Sequence, residues 1–117
     1  MNSYPSEDEN EFAPVLGKAD LHAHEIYCPG RESEPYASPL FAKHGRLPPA
    51  LIQTAEHDPL RDQGTAYAAA LREAGVEVRL TNYVDAVHGY VSIPGVVPAA
   101  RQALAEAISV LRAALVR

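Results

Sequence analysis

Tryptophan is absent from this chain of 117 residues, and there is one cysteine, Cys28. A single cysteine cannot close an internal disulfide, which fits a reducing compartment and leads us to expect a cytoplasmic protein. No apolar run approaches the roughly 20 residues that span a bilayer, so no membrane partner is expected. Positive charge is also short: ten Lys and Arg stand against fifteen Asp and Glu, for a formal charge of −5. No basic patch exists to follow a phosphate backbone, so nucleic acid is not an expected partner either. The opening Met1-Asn2-Ser3-Tyr4-Pro5-Ser6, followed by acidic residues, lacks the positive and apolar regions of a secretion signal. Bulky apolar side chains are scarce as well. Hydrophobic residues make up 47% of the chain, but twenty of them are alanine. A chain this short buries about two-thirds of its unfolded surface. One domain is therefore the upper bound, and its core must be efficient or shared.

Proline is abundant instead, and its placement divides the chain. Seven of ten prolines fall in residues 1–49, with eight acidic and four basic residues. The first fourteen carry Glu7, Asp8, Glu9 and Glu11 without a basic partner. Such a segment buries too little apolar surface to offset its ordering entropy and is expected to fray. The rest of 1–49 reads as loops with at most two short helical turns.

Residues 50–117 are regular. Ala50-Leu51-Ile52-Gln53-Thr54-Ala55, introduced by Pro48-Pro49, is a short apolar run of strand length. At Asp58-Pro59, aspartate suits a helix cap and proline a first helical position. Tyr67, Ala70, Leu71 and Ala74 then make one apolar helix face, which Gly75 ends. Val76, Val78 and Leu80 alternate with polar residues as a second strand does. Pro98 opens a second helix, whose expected packing stripe is Leu104, Ala107, Ile108, Leu111 and Leu115. Strand, helix, strand, helix predicts an α/β unit with a right-handed parallel crossover. Two parallel strands make an incomplete sheet, because a parallel strand normally has neighbours on both sides.

Catalytic groups in α/β sheets gather at the carboxyl ends of strands. Glu56-His57-Asp58 ends the first strand and Asp85-Ala86-Val87-His88-Gly89-Tyr90 follows the second. Asp58 and His88 are thus candidate neighbours, a carboxylate that orients an imidazole base. Asp58 reads equally as a plain helix cap. Asp62 and Asp85 are alternative acids, and Asp62 also suits the first turn of a helix.

The residues themselves carry a resemblance. Pro35-Tyr36-Ala37-Ser38-Pro39-Leu40, Leu47-Pro48-Pro49-Ala50-Leu51-Ile52 and Thr54-Ala55-Glu56-His57-Asp58-Pro59-Leu60-Arg61-Asp62 resemble the α/β-hydrolases related to hormone-sensitive lipase. Leu71-Arg72-Glu73-Ala74-Gly75-Val76 and His88-Gly89-Tyr90 extend the likeness, which runs from about residue 12 to the C-terminus. The resemblance implies that Asp58 is the acid after the seventh strand of an eight-stranded sheet. It implies that His88 is the base in the loop after the eighth strand. Residues 12–34 would contribute to the cap. The implied reaction is hydrolysis of small acyl esters by a serine esterase or lipase, without metal or cofactor.

The chain departs from that family at the nucleophile. Its Gly-x-Ser-x-Gly elbow and its His-Gly-Gly-Gly-type oxyanion loop do not occur in these 117 residues. Neither Ser6 nor any of Ser3, Ser33, Ser38, Ser92 and Ser109 has elbow surroundings, and His44-Gly45-Arg46 lacks the glycine run. The expectation is a C-terminal portion of the enzyme that supplies acid and base and is inactive alone. A complementing N-terminal hydrolase fragment would then be its partner. The alternative is a non-catalytic module that oligomerises through an exposed sheet edge. The resemblance suggests the eighth strand, about 77–83, as a place where homodimers form. A third reading takes Asp20-Leu21-His22-Ala23-His24 as the Asp-x-His-x-His metal pattern of amidohydrolases, with Glu25 as a further ligand. It is disfavoured because such a barrel needs about 200 residues or more.

Overall fold

The computed structural model describes residues 3–22 and 28–116. A short helix, α1 (Pro5–Glu9), leads into an irregular stretch with 3-10 turns at Lys18–His22 and Pro39–Phe41. Strand β1 (Ala50–His57), helix α2 (Arg61–Glu73), strand β2 (Val78–Val87) and helix α3 (Ala99–Leu115) follow. The strands pair in parallel, with Ala50 opposite Val78 and Ala55 opposite Tyr83. Among the described residues, β1 has no strand on its other edge. The α/β architecture with an incomplete parallel sheet is therefore as expected. Among the described residues no helix is long and apolar enough to cross a membrane.

The two helices cover opposite faces of the sheet. Helix α2 lies on the face of Ile52 and Thr54, where a Cβ on Gly64 would stand 2.7 Å from the Thr54 methyl. Thr54 cannot rotate freely out of the way, since its hydroxyl donates to Asn82 Oδ1 at 2.9 Å. Gly64→Ala is thus expected to destabilise the chain by about 1–3 kcal/mol through overpacking, although alanine is the better helix former. The urea midpoint measures this, and an unchanged or raised midpoint would show that the approach is not tight. Helix α2 ends in a Schellman motif. Gly75 takes φ +83°, the Val76 amide donates to Leu71 O and the Gly75 amide to Arg72 O.

Helix α3 covers the other face with a side the apolar pattern did not single out. Ala99, Ala100 and Ala103 are buried against Ala55, Ala86, Tyr90 and Val97, small residues that let helix and sheet approach closely. The expected stripe points elsewhere: Leu104, Ile108, Leu111 and Leu115 are 39% to 80% exposed. Beyond the alanines, a polar cluster fastens α3 to both strands. The partly buried carboxylate of Glu106 accepts from Gln53 Nε2 at 2.9 Å, Thr81 Oγ at 2.8 Å and the Tyr83 hydroxyl at 3.2 Å. It also pairs with Arg79 at 2.8 Å, and Gln53 Nε2 donates to Ala103 O as well.

The acidic N-terminal segment corrects a second expectation. It does not lie loose: Ser6 is fully buried and Asn10 nearly so. Proline at the start and Glu7 and Asp8 in the first turn suit the helix geometry and dipole. Apolar burial has little part in this anchoring. Arg61 binds Glu9 at 2.7 Å, Glu56 at 3.0 Å and Asp62 at 3.0 Å, and Lys18 pairs with Asp8.

Candidate active site

The carboxyl ends of β1 and β2 meet at Asp58 and His88. Asp58 opens the turn between β1 and α2, and Pro59 behind it is fully buried. The helix begins only at Arg61, so Pro59 stands before it rather than at its first position. Asp58 still organises the turn. Its Oδ1 accepts the Leu60 amide at 2.9 Å and its carbonyl accepts the Arg61 amide at 3.0 Å, an Asx-type turn. The second oxygen, Oδ2, lies 2.9 Å from His88 Nδ1. Capping role and imidazole partner thus coexist on one side chain.

A bulge brings His88 into place. The pairing offset is 28 residues at Ala55 and 30 at His57, which faces Val87. The two extra residues are taken up around Val84 and Asp85, both exposed. Residue 88, rather than 86, therefore lies abreast of Asp58, and bulges commonly re-aim side chains in this way. Gly89 then adopts φ +72°, a conformation glycine accepts without strain. Tyr90 plugs into the core beside Tyr83, with ring centroids 5.8 Å apart. Burial, with Tyr83 and Glu106 adding to it, pushes the Tyr90 hydroxyl up to about 12. Its hydroxyl has no hydrogen-bond partner among the described residues.

A carboxylate can only accept here, so Nδ1 of a neutral His88 carries the proton and Nε2 is left as the basic nitrogen. The imidazole is 40% exposed, whereas the Asp58 carboxyl is 13% exposed. A buried acid behind an accessible base is the arrangement that proton transfer to and from a substrate requires.

Of the alternative acids, Asp85 is exposed and Asp62 is otherwise engaged. Asp62 Oδ2 accepts the Ser6 amide at 2.9 Å and Oδ1 accepts from Arg61. Partial burial works against the charge of Asp62, but the Ser6 amide and the Arg61 guanidinium outweigh it and hold the carboxyl below its ordinary value. The metal pattern is not assembled by what is described. Asp20 accepts the Gly17 amide at 2.8 Å in a local turn, and His24 and Glu25 lie outside the described residues. Among the described residues no group of three or more His, Cys, Asp or Glu could hold a metal. Sequence reasoning missed Ser6 and Asn10, because hydrophobic periodicity carries no signal for a polar anchor.

Comparison with known proteins gives the family. The model of a family described as alpha/beta hydrolase fold matches residues 2–92. The carboxylesterase NlhH of Mycobacterium tuberculosis is 43% identical over 120 residues, which cover 97% of this chain and 38% of that protein. The esterase LipI of the same organism is 40% identical over 119 residues, with 97% and 37% covered. The structure of a hyperthermophilic esterase from the archaeon Pyrobaculum calidifontis superposes with a TM-score of 0.86 and 34% identity, over 99% of this chain and 40% of its own. The chain thus spans about two-fifths of the length of the relatives it matches. It belongs to the α/β-hydrolase family, among the esterases and lipases to which hormone-sensitive lipase is related.

Proposed function

We propose that this chain supplies the acid, Asp58, and the base, His88, of a serine carboxylic-ester hydrolase. The observation that carries the reading is the 2.9 Å contact between Asp58 Oδ2 and His88 Nδ1 at the carboxyl ends of two parallel strands. The similarity to carboxylesterases supports it. His88 Nε2 takes the proton of a serine hydroxyl as that oxygen attacks the ester carbonyl, and then returns it to the departing alkoxide. Water repeats the sequence on the acyl-enzyme, releasing the acid and freeing the serine. Asp58 stays ionised throughout and stabilises the imidazolium.

Nucleophile and oxyanion donors are not among these 117 residues as the Gly-x-Ser-x-Gly and glycine-run motifs. They come in this reading from a further hydrolase segment, covalently continuous or separate. The edge of β1 that no strand pairs among the described residues, and the outward Leu104, Ile108, Leu111 and Leu115 of α3, offer that segment both backbone pairing and apolar cover. The same exposure favours a second reading, a non-catalytic module whose two copies cover each other.

A nitrophenyl acetate assay separates these. The 117-residue chain alone is expected to show no turnover above buffer. Co-expressed with the preceding part of a related hydrolase, it is expected to gain turnover that a serine-directed phosphonate abolishes. Phosphonate-sensitive turnover by the chain alone would mean that a nucleophile lies within it. A stable homodimer in light scattering, with no gain on co-expression, would favour the second reading.

A further inference from the structure

Helix α1 is five residues long, far below the length at which a helix is stable by itself. Beside the ion pair of Glu9 with Arg61, two buried polar side chains hold it, Ser6 within it and Asn10 at its end, and both reach the turn that carries Asp58. The Ser6 hydroxyl donates to Pro59 O at 2.9 Å and accepts the Asp62 amide at 3.2 Å. The Ser6 amide donates to Asp62 Oδ2 at 2.9 Å. Asn10 Nδ2 donates to Ser6 O at 3.0 Å and reaches Asp58 O at 3.5 Å. The carbonyl of Pro59 is thus held from α1, that of Asp58 is approached from its C-terminal cap, and Asp58 Oδ1 is held from within the turn by the Leu60 amide. The one oxygen left over is Oδ2, aimed at His88.

We propose that Ser6 and Asn10 are positioning residues, which hold the Asp58 turn so that Oδ2 is presented to His88 Nδ1. The proposal rests on Asp58 and His88 being acid and base. The competing account is that these contacts merely tie the acidic segment to the fold. The two accounts differ in what reaches His88. A tie would alter stability alone. A positioning device would alter the imidazole as well, because a carboxylate that wanders no longer selects the Nδ1–H tautomer.

The tautomer ratio of His88, read from the nitrogen-15 shifts of the full chain above neutral pH, tests this. Asp58→Asn is the reference and should remove the Nδ1–H preference. Ser6→Ala and Asn10→Ala, each still folded by amide dispersion, should lower the Nδ1–H to Nε2–H ratio about threefold to tenfold, the effect of losing one buried hydrogen bond. Leu71→Ala, which loosens the core of α2, should leave the ratio unchanged.

Folded Ser6→Ala and Asn10→Ala chains with the parent ratio would overturn the positioning role and leave the Asp58–His88 pair standing. Failure of both variants to fold would also overturn it, since the contacts would then hold the fold and not the acid. A parent ratio that Asp58→Asn does not change would overturn the acid–base reading itself, and this proposal with it.

Discussion

Replacing His88 with alanine is expected to abolish ester turnover in the co-expressed enzyme, with a fall in kcat of about 10⁴-fold or more. The loss follows from removing the imidazole that Asp58 orients at 2.9 Å and that takes the serine proton in the proposed reaction. The fold is expected to survive, because the imidazole is 40% exposed and the Asp58 turn is held by the Leu60 amide. Asp58→Asn should be comparably damaging, since its amide can turn a donor towards Nδ1 and favour the wrong tautomer. Asp58→Ala should also cost about 1–2 kcal/mol of stability by dismantling the turn. Single-turnover kinetics and urea melts on the same samples separate these contributions. Retention of a tenth of parental kcat by folded His88→Ala would remove His88 from the mechanism.

Glu106 carries the largest expected effect on stability. Glu106→Ala strips the acceptor from Thr81 and Tyr83 and one of two from Gln53, and leaves Arg79 unpaired. The expected loss is about 2–4 kcal/mol, dominated by donors left beneath α3 without a partner. The same cluster makes docking of α3 acid-sensitive. Burial opposes the Glu106 charge, but the donors from Gln53, Thr81 and Tyr83, with Arg79 beside them, hold its carboxyl below the ordinary value. A carboxyl lowered in the folded state contributes stability that is present above the ordinary glutamate range. That contribution is lost as pH falls through the lowered value. Urea melts from neutral to acid pH should therefore show a steeper decline for the parent than for Glu106→Gln, and parallel declines would refute the assignment.

The regular half of the fold was legible because its signals are local. Pro48-Pro49 and the apolar run delimit β1, and Gly75 marks the end of α2 through a left-handed turn that any sequence reader can anticipate. The candidate pair followed from strand order, since two parallel strands end on the same sheet edge. Helix α3 was misread because it has two apolar stripes. Size favours Leu104, Ile108, Leu111 and Leu115, but the close approach of a helix to a two-stranded sheet selects Ala99, Ala100 and Ala103. The N-terminal segment was misread because its anchor consists of hydrogen bonds between residues more than 50 positions apart. Apolar area, the quantity a composition argument weighs, has no bearing on such contacts.

The bulge in β2 bears on how acid and base may be spaced along a chain. It absorbs two residues at Val84 and Asp85, both outside the core, and an excess of two leaves the alternation of faces intact. An excess of one can be taken up at a bulge as well, because the ladder resumes beyond it with facing residues on the same side of the sheet. Thirty residues from acid to base is therefore one member of a series, whether further residues enter at the bulge or at the connection at residues 74–77, which lies before the ladder. What the chemistry fixes is that the two groups face each other, and a rule that demands one spacing would pass over chains with the same pair in the same place.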